Sequence, residues 1–280
     1  MDRGTLYVVS TPIGNLSDLT ARAREIFERV GHVAAEDTRR TRALLSHLGL
    51  GGKTLHRVDA HSRDEELAWL AGLLERGESV ALATDAGTPA VSDPGSALVR
   101  LAVARGVPVV PIPGASAVLA ALVASGLSDD SGFRFLGFLP RDGPSRRAAL
   151  LRAVETPEPV VLFESPHRLE ATLAELASST PARPAAIARE LTKLHEEIVR
   201  GALSELAALR REWQGEIVLV LGSHDPGARE EKITDLAIDA RIDEELERGA
   251  HAKGIAERLA AWSGRPRRAL YERVIARKSR

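Results

Sequence analysis

The sequence predicts an α/β fold made of two unlike α/β domains, with mainly parallel or mixed sheets, a cleft between them and a small helical C-terminal appendage. Three observations support this prediction. Apolar runs of four to six residues alternate with helical patterns along most of the chain, which is typical of βαβ units. The length of 280 residues suits two domains and an appendage. After a turn-rich stretch at 224–228 the pattern becomes purely helical.

Residues 1–115 are predicted to form the N-terminal α/β domain. Its first strand, Leu6–Val9, is followed by a helix with apolar side chains at helical spacing between Leu19 and Val30. Asp93-Pro94 is typical of a helix cap followed by proline at the first helical position, so we expect a helix from there to Gly106. The other strands are predicted at His32–Ala35, Thr54–Val58, Val80–Ala83 and Val107–Ile112.

Residues 116–224 are predicted to form a second α/β domain that completes the cleft. A very apolar helix is expected from about Ser116 to Ser125, and the sequence leaves open to which half it belongs. The strands of this domain are predicted at Phe133–Phe138, Val160–Phe163, Ala185–Ala188, Glu197–Arg200 and Glu216–Leu221, with helices near 145–155, 166–177 and 203–212. Residues 232–280 are predicted to form three helices, near 234–248, 253–262 and 266–277. This helical segment resembles a helix-turn-helix domain and is a candidate for docking on RNA.

The charge of the chain is distributed unevenly. The formal net charge of −1 conceals a C-terminal segment, residues 251–280, that sums to +7, which leaves −8 for the first 250 residues. A basic helical segment of this kind is a candidate for contact with nucleic acid, whereas the whole-chain value argues against it. No apolar run is long enough to cross a membrane, and a strand so close to Thr5 argues against a signal peptide. We therefore expect a cytoplasmic protein that does not bind membranes.

Several kinds of site are excluded or poorly supported. The absence of cysteine removes thiol nucleophiles, disulfides and cysteine-ligated metal centres. Gly52-Lys53-Thr54 lacks the upstream glycine and the strand-loop-helix order of a phosphate-binding P-loop, and no dinucleotide-binding glycine motif follows a predicted strand. His56, Asp59 and His61 could ligate a metal, but such residues in one strand and turn are more often ordinary polar positions, so no metal is predicted.

Small-residue, glycine-bearing loops follow four predicted strands of the N-terminal domain, at 10–16, 36–40, 84–95 and 113–116. Ligands of open α/β sheets bind outside the carboxyl ends of the strands, so we expect these loops to line one site. The loops carry carboxylates and hydroxyls but few cations. This composition favours a positively charged or zwitterionic small molecule over a bare polyphosphate.

Seven motifs occur in one order between residues 10 and 193. They are Ser-Thr-Pro-Ile-Gly-Asn-Leu-Ser-Asp-Leu (10–19), Ala-Ala-Glu-Asp-Thr-Arg (34–39), Thr-Asp-Ala-Gly-Thr-Pro with Ser-Asp-Pro-Gly (84–95), Pro-Gly-Ala-Ser-Ala (113–117), Gly-Phe-Leu-Pro-Arg (137–141), Phe-Glu-Ser-Pro-His-Arg (163–168) and Ala-Arg-Glu-Leu-Thr-Lys (188–193). Together they resemble the bacterial cytidine 2′-O-methyltransferases of small-subunit ribosomal RNA, within the tetrapyrrole methylase superfamily. The resemblance implies S-adenosylmethionine (SAM) as methyl donor in the cleft, a homodimer, and the small ribosomal subunit with its 16S rRNA as partner.

The resemblance also implies which residues contact the cofactor. Gly87-Thr88-Pro89 stands where the superfamily has Gly-Asp-Pro, so a hydroxyl replaces a carboxylate at Thr88. Either Asp85 or backbone carbonyls would then receive the ammonium group of the cofactor. The implied contacts are Pro12, Asp85, Gly87, Thr88, Val91, Ser116, Ala117, Phe163 and Leu191.

A methyl transfer to a ribose hydroxyl requires alignment of the reacting atoms, and a general base would help because a protonated hydroxyl is a poor nucleophile. The candidates for this base are Glu36, Asp37, Glu164, His167, Glu190 and Lys193; alignment without a base is the alternative. Glu36 and Asp37 are preferred because they directly follow a strand, although Asp37 could simply cap a helix. The predicted catalytic residues are Glu36, Asp37, Arg39 and Lys193, and the arginines predicted to meet RNA phosphates are Arg40, Arg141, Arg146, Arg147, Arg267, Arg268 and Arg273.

Three functions remain open at this point. The first is methylation of an RNA ribose, the second is methylation of a small molecule such as a tetrapyrrole, and the third is binding of SAM by a non-catalytic ribosome-associated protein. The basic C-terminal helices and the arginines at 141–147 favour the first function, because a macrocycle requires no docking appendage.

Overall fold

The computed structural model describes residues 3–224, 235–263 and 265–278. Contacts between Cα atoms divide the chain into two compact units, Met1–His224 and Asp225–Arg280. The predicted start of the helical appendage, residues 232–234, lies outside the described residues, as does the predicted helix break at Gly264. No helix in the described ranges is long and apolar enough to cross a membrane.

A five-stranded, fully parallel sheet forms the first half of the larger unit. Its strands lie in the order β3-β2-β4-β1-β5, and helices cover both faces with apolar cores that include Leu70 and Leu98 on one side and Phe27 and Leu45 on the other. The strands are β1 (Leu6–Val9), β2 (His32–Ala35), β3 (Thr54–Arg57), β4 (Val80–Ala83) and β5 (Val109–Ile112). The helices are α1 (Ala21–Arg29), α2 (Thr38–His47), α3 (Asp64–Glu75) and α4 (Ser96–Ala104), with one 3-10 turn at Leu16–Asp18.

The helix predicted to open at Asp93-Pro94 begins later, so that prediction is wrong. Helix α4 begins at Ser96, and its N-cap is Gly95, with φ 113°. A Cβ atom at Gly95 would lie 2.9 Å from Cδ2 of Leu82, so the chain can turn here only with glycine. Ala90 and Ser92 also have positive φ values, 67° and 63°, which keep this part of the chain non-helical. Asp93 therefore belongs to the loop between β4 and α4.

A second five-stranded sheet, of mixed direction, forms the other half of the larger unit. Its order is β6-β7-β10-β8-β9, and only the β6–β7 pair is parallel. The strands are β6 (Arg134–Phe138), β7 (Val160–Glu164), β8 (Pro184–Arg189), β9 (Glu197–Ala202) and β10 (Ile217–Leu221). The helices are α5 (Ala117–Ser125), α6 (Gly143–Glu155), α7 (Pro166–Ser179) and α8 (Leu203–Ala208). The two sheets confirm the predicted fold class.

Helix α5 packs on one face of the mixed sheet, whereas α6, α7 and α8 cover the other. Val118, Ala121 and Leu122 of α5 contact Val218 and Val220 of β10 in one buried cluster. This packing places α5 with the second half of the unit. A domain boundary near residue 115 is consistent with the packing and stays a prediction.

The smaller unit is formed by three helices, α9 (Asp235–Glu247), α10 (Ala252–Ser263) and α11 (Arg267–Lys278). They share a core that includes Ile238, Leu259 and Leu270. Basic side chains of α11 pair with acidic side chains of α9: Nε of Arg273 lies 2.6 Å from Asp239, and Arg277 pairs with both Asp239 and Asp243. Part of the positive charge of this segment is therefore neutralised within its own fold.

Candidate active site

A cavity of about 350 Å³ lies where the carboxyl edge of the parallel sheet faces the mixed sheet. Its volume is within the range of small-molecule sites in proteins. The β4–α4 loop forms one wall, the N-terminus of α5 forms a second, and the ends of β6, β7 and β10 form the third. The lining residues are Ile13, Ala86, Gly87, Thr88, Val91, Asp93, Ser116, Ala117, Val118, Phe138, Phe163, Glu164, Ser165, Pro166, Gly215, Glu216, Ile217 and Val218.

Hydrogen bonds hold the loops after β1, β4 and β5 together at this edge. The backbone groups of Thr11 and Gly87 exchange two hydrogen bonds, of 2.9 and 3.0 Å. The Thr88 hydroxyl lies 3.0 Å from the hydroxyl of Ser10 and 3.4 Å from the carbonyl oxygen of Ala115. The edge therefore carries one connected set of loops, as the sequence predicts.

The β4–α4 loop packs closely against the backbone of the mixed sheet at Gly137. A Cβ atom at Gly137 of β6 would lie 2.8 Å from the Ser92 hydroxyl, and Gly137 has a φ of 64°. Behind this contact the ring of Phe163 packs against those of Phe135 and Phe138, with centroids 5.1 and 5.3 Å apart. These rings give the cavity an apolar, aromatic wall.

The charged side chains that line the cavity are all acidic. Asp93, Glu164 and Glu216 contribute carboxylates, and the lining residues described include no lysine or arginine. Cations outside the lining pair with Glu164 and Glu216, so Asp93 is the lining carboxylate left to complement a ligand that carries positive charge. This arrangement supports the class of ligand that the loop composition predicts.

Glu164, at the end of β7, is the most enclosed of these carboxylates. It accepts hydrogen bonds from the backbone nitrogen of Ser165 at 2.8 Å and the hydroxyl of Thr172 at 2.7 Å. The guanidinium groups of Arg168 and Arg146 lie 3.4 and 3.9 Å away. These four groups satisfy Glu164, so it acts as a structural anchor for this wall.

Six of the nine predicted cofactor contacts line the cavity: Gly87, Thr88, Val91, Ser116, Ala117 and Phe163. Pro12 does not, although its neighbour Ile13 does. Leu191 is buried in the cluster that contains Ile13. Asp85 also lies outside the lining, because its carboxylate accepts a hydrogen bond from the backbone nitrogen of Asp37 at 3.2 Å and pairs with Arg40 at 3.4 Å. A role of Asp85 in receiving the ammonium group stays a prediction.

Glu36, Asp37, Arg39 and Lys193, the predicted catalytic residues, are not among the cavity-lining residues described. Asp37 caps α2 and accepts three hydrogen bonds from Arg39; the side-chain bonds, followed by the backbone bond, hold its pKa well below the usual range. Glu36 accepts a hydrogen bond from the backbone nitrogen of Asp85 at 3.3 Å. The helix cap is the alternative that the sequence left open for Asp37, and the preference for Glu36 or Asp37 as base stays a prediction.

The ion pairs of Lys193 disfavour a role as general base. Its ammonium group donates hydrogen bonds of 2.9 Å to Glu190 and to Glu216. Burial lowers the pKa of Lys193, but the two hydrogen bonds outweigh burial and raise that pKa overall. A lysine with a raised pKa is a cation at neutral pH and cannot accept a proton. The raised pKa disfavours Lys193 as a base, and another catalytic role for Lys193 stays a prediction.

The predicted RNA-contacting arginines differ in exposure. Arg146 is buried and binds Glu175, the Thr172 hydroxyl and the carbonyl oxygen of Pro140, so a phosphate cannot reach it and its prediction is corrected. Helix α6 already begins at Gly143, so this segment is not the loop expected from its sequence. The other predicted arginines are Arg40, Arg141, Arg147, Arg267 and Arg268, which are exposed, and Arg273, which pairs with Asp239.

Asp93 is a cavity-lining carboxylate that sequence reasoning missed. Burial raises the pKa of Asp93 to about 6, the negative charges of Glu36 and Asp85 act in the same direction, and the hydroxyl of Thr84 opposes them. Asp93-Pro94 has the sequence of a helix cap, so the sequence favours a capping role for Asp93 over a place in the site. Its place in a polar loop after a strand was the signal that could have identified it.

Comparisons with known proteins agree with this architecture. The model of the family described as Tetrapyrrole (Corrin/Porphyrin) Methylases matches residues 5–207. Ribosomal RNA small subunit methyltransferase I of Micromonospora olivasterospora is 46% identical over 276 residues, which are 97% of this chain and 86% of the relative. The protein of the same name from Neisseria meningitidis serogroup A is 42% identical, with 99% and 95% covered.

Solved structures share the fold at lower identity. Diphthine synthase has a TM-score of 0.60 at 16% identity, covering 79% of this chain and 92% of its own. Uroporphyrin-III C-methyltransferase from Thermus thermophilus, complexed with S-adenyl homocysteine, has a TM-score of 0.55 at 22% identity, covering 78% and 97%. The family match extends over most of the chain and agrees with the seven ordered motifs. The chain therefore belongs to the tetrapyrrole (corrin/porphyrin) methylase family.

Proposed function

We propose that this chain transfers a methyl group from SAM to the ribose 2′-hydroxyl of a cytidine in the 16S rRNA of the small ribosomal subunit. One observation carries the proposal: relatives named ribosomal RNA small subunit methyltransferase I match 96–99% of the chain at 39–46% identity. The ordered motifs, which resemble cytidine 2′-O-methyltransferases, support the choice of the ribose oxygen.

The cavity fits SAM by its chemistry. SAM carries a sulfonium and an ammonium group, and among the described lining residues Asp93 offers a carboxylate that pairs with no lysine or arginine, whereas Glu164 and Glu216 pair with cations outside the lining. The apolar wall formed by Phe163, Ile217 and Val218 suits the adenine ring, and the absence of a side chain at Gly87 and the single methyl group of Ala117 leave it room. When bound, SAM supplies a methyl group already activated by the positive sulfur.

The protein contributes positioning and exclusion of water. The transfer is an in-line displacement, so the cavity walls must hold the donor while the substrate hydroxyl approaches from the opposite side of the methyl group. The hydrogen-bonded loops at Thr11 and Gly87 give the cavity a fixed edge for this purpose. Because the chain has no cysteine, the methyl group passes directly from donor to oxygen without a thiol intermediate.

Two measurements test the proposed function. Calorimetry with SAM should show binding to the full chain, and radiolabelled SAM should transfer its methyl group to unmethylated small ribosomal subunits. Naked 16S rRNA and a tetrapyrrole serve as alternative acceptors. Transfer only to the tetrapyrrole would indicate a small-molecule methyltransferase, and binding of SAM without any transfer would indicate a non-catalytic binding protein.

Exposed arginines from both units are proposed to contact rRNA phosphates. We expect the triple substitution Arg141→Gln, Arg147→Gln and Arg268→Gln to weaken binding to small subunits while the affinity for SAM stays unchanged. Each lost contact with a single-stranded phosphate reduces the salt slope by about 0.7, so three lost contacts reduce it by about 2. Filter binding at several salt concentrations measures the slope. Arg24→Gln, which replaces an exposed arginine paired with Glu28 on α1, is the control. Unchanged affinity and slope in the triple variant would contradict the proposal.

We also propose that the chain acts as a homodimer in the cytoplasm, where the ribosomal subunits are. Leu119 and Val123, one turn apart on α5, are both exposed, and Leu119 lines a surface groove together with the exposed Phe133. Exposed apolar side chains in one region are typical of an interface. Leu119→Asp together with Val123→Asp should convert the protein from a dimer to a monomer of 30.1 kDa in sedimentation velocity. A variant that remains dimeric would place the interface elsewhere.

A further inference from the structure

The three carboxylates that line the cavity have different partners. Glu164 is balanced by two guanidinium groups, and Glu216, which is 75% exposed, pairs with the ammonium group of Lys193 at 2.9 Å. No lysine or arginine of the described residues pairs with Asp93. Asp93 is therefore the cavity carboxylate whose oxygens are not committed to a cation of the protein.

The backbone around Asp93 holds the side chain in place. Ala90 and Ser92 adopt the left-handed region that non-glycine residues rarely occupy, with φ of 67° and 63°. Such conformations cost free energy and occur preferentially at active sites, where the surrounding structure maintains them. A Cβ atom at Gly137 would lie 2.8 Å from the Ser92 hydroxyl, and one at Gly95 would lie 2.9 Å from Cδ2 of Leu82, so the loop is closely packed before and after Asp93. Asp93 thus stands in a loop fixed on both sides.

The charged groups around Asp93 favour its protonated form. Glu36 from the end of β2 and Asp85 from the end of β4 add negative charge near it, and Glu164 of β7 and Glu216, which precedes β10, line the same cavity. Together with burial, these surroundings explain the raised pKa of about 6. A carboxylate with this pKa is deprotonated at neutral pH and more basic than an ordinary aspartate. Both properties suit a general base.

We propose that Asp93 is a catalytic residue that accepts the proton of the substrate hydroxyl, a role that rests on the proposed methyl transfer. The hydroxyl oxygen forms its bond to the methyl carbon while the bond between methyl carbon and sulfur breaks, and the electron pair of that bond remains on sulfur. The hydroxyl proton passes to the carboxylate of Asp93 and from there to water. Charge and atoms balance without any further reactant.

The test is the pH dependence of single-turnover methyl transfer to unmethylated small subunits at saturating SAM. For the wild-type chain the rate should rise about tenfold per pH unit below the pKa of Asp93 in the SAM complex and level off above it, because only deprotonated Asp93 accepts a proton. The positive charge of SAM lowers that pKa from the value of about 6 in the free chain. Asp93→Asn should lower the rate at the plateau by about 10²- to 10⁴-fold and remove the increase of the rate with pH. Asp93→Glu should recover part of the rate together with the rise. Calorimetry sets the SAM concentration that saturates each variant, since Asp93→Asn removes a carboxylate that complements the positive charge of SAM.

Asp64→Asn, an exposed carboxylate in the first turn of α3, is the matched control and should keep the wild-type rate and profile. A rate of Asp93→Asn within about threefold of the wild type would overturn the assignment. So would a loss that disappears when SAM is raised, since Asp93 would then bind the ammonium group of the donor. A wild-type chain that transfers no methyl group to subunits would instead refute the proposed function, and the role of Asp93 with it.

Discussion

Replacing Glu164 with alanine is expected to lower the free energy of unfolding by about 3–5 kcal/mol, the range for breaking a buried ion pair from one side. The side chain of Glu164 is fully buried, and its removal leaves the guanidinium groups of Arg146 and Arg168 without their shared counter-charge. The Thr172 hydroxyl and the backbone nitrogen of Ser165 lose their acceptor as well. Unfolding in urea, followed by far-UV circular dichroism, measures the change.

Glu175→Ala is the matched control for this prediction. Glu175 also pairs with Arg146, at 3.0 Å, but its side chain is half exposed, so its loss should cost less than about 1 kcal/mol. The comparison separates the burial of the carboxylate from the loss of an arginine contact. Equal losses in the two variants would show that Glu164 does not anchor this wall. A stable Glu164→Ala variant with reduced methyl transfer would restore Glu164 as a candidate base.

Replacing Ala117 with phenylalanine is expected to lower the affinity for SAM by at least about tenfold, or about 1.4 kcal/mol. Ala117 is the first residue of α5 and lines the cavity of about 350 Å³, so an added ring occupies space that the donor requires. Fixed walls cannot move aside without disturbing the packed cluster beneath α5. Isothermal titration calorimetry with SAM measures the change.

The control for the Ala117 substitution is Ala148→Phe. Ala148 is an exposed residue of α6 outside the cavity, so the same change in side-chain volume there should leave SAM affinity unaltered. Both variants should retain the melting temperature of the parent within a few degrees, which shows that they fold. If Ala117→Phe binds SAM as tightly as the parent chain, the donor does not occupy this cavity.

The strands could be predicted almost to the residue because β1, β2 and β4 are short apolar runs in a sheet that helices cover on both faces. The start of α4 could not, because the positive φ values of Ala90 and Ser92 have no marker in the sequence. An Asp-Pro pair has the same local signature whether it caps a helix or precedes a further turn.

Much of the candidate site followed from the sequence, since its loops stand after the strands of one sheet edge and therefore meet. The catalytic assignments did not follow, because the state of a carboxylate depends on partners far away along the chain. Lys193 meets Glu216 across a separation of 23 residues, and the burial of Arg146 depends on Glu164 and Glu175 from later elements. Only the folded chain shows that Asp93 has no such cation beside it in the described residues.

The pairing of α9 with α11 has a consequence for selectivity among RNAs. A guanidinium already matched by a carboxylate exerts a weaker long-range field, and that field governs sequence-independent attraction to polyanions. Because Asp239 and Asp243 hold Arg273 and Arg277 in this way, the helical unit attracts arbitrary RNA less strongly than its C-terminal sequence suggests. On the proposed contact with the ribosomal subunit, recognition then depends more on the shape of the subunit surface than on the number of positive charges in this unit.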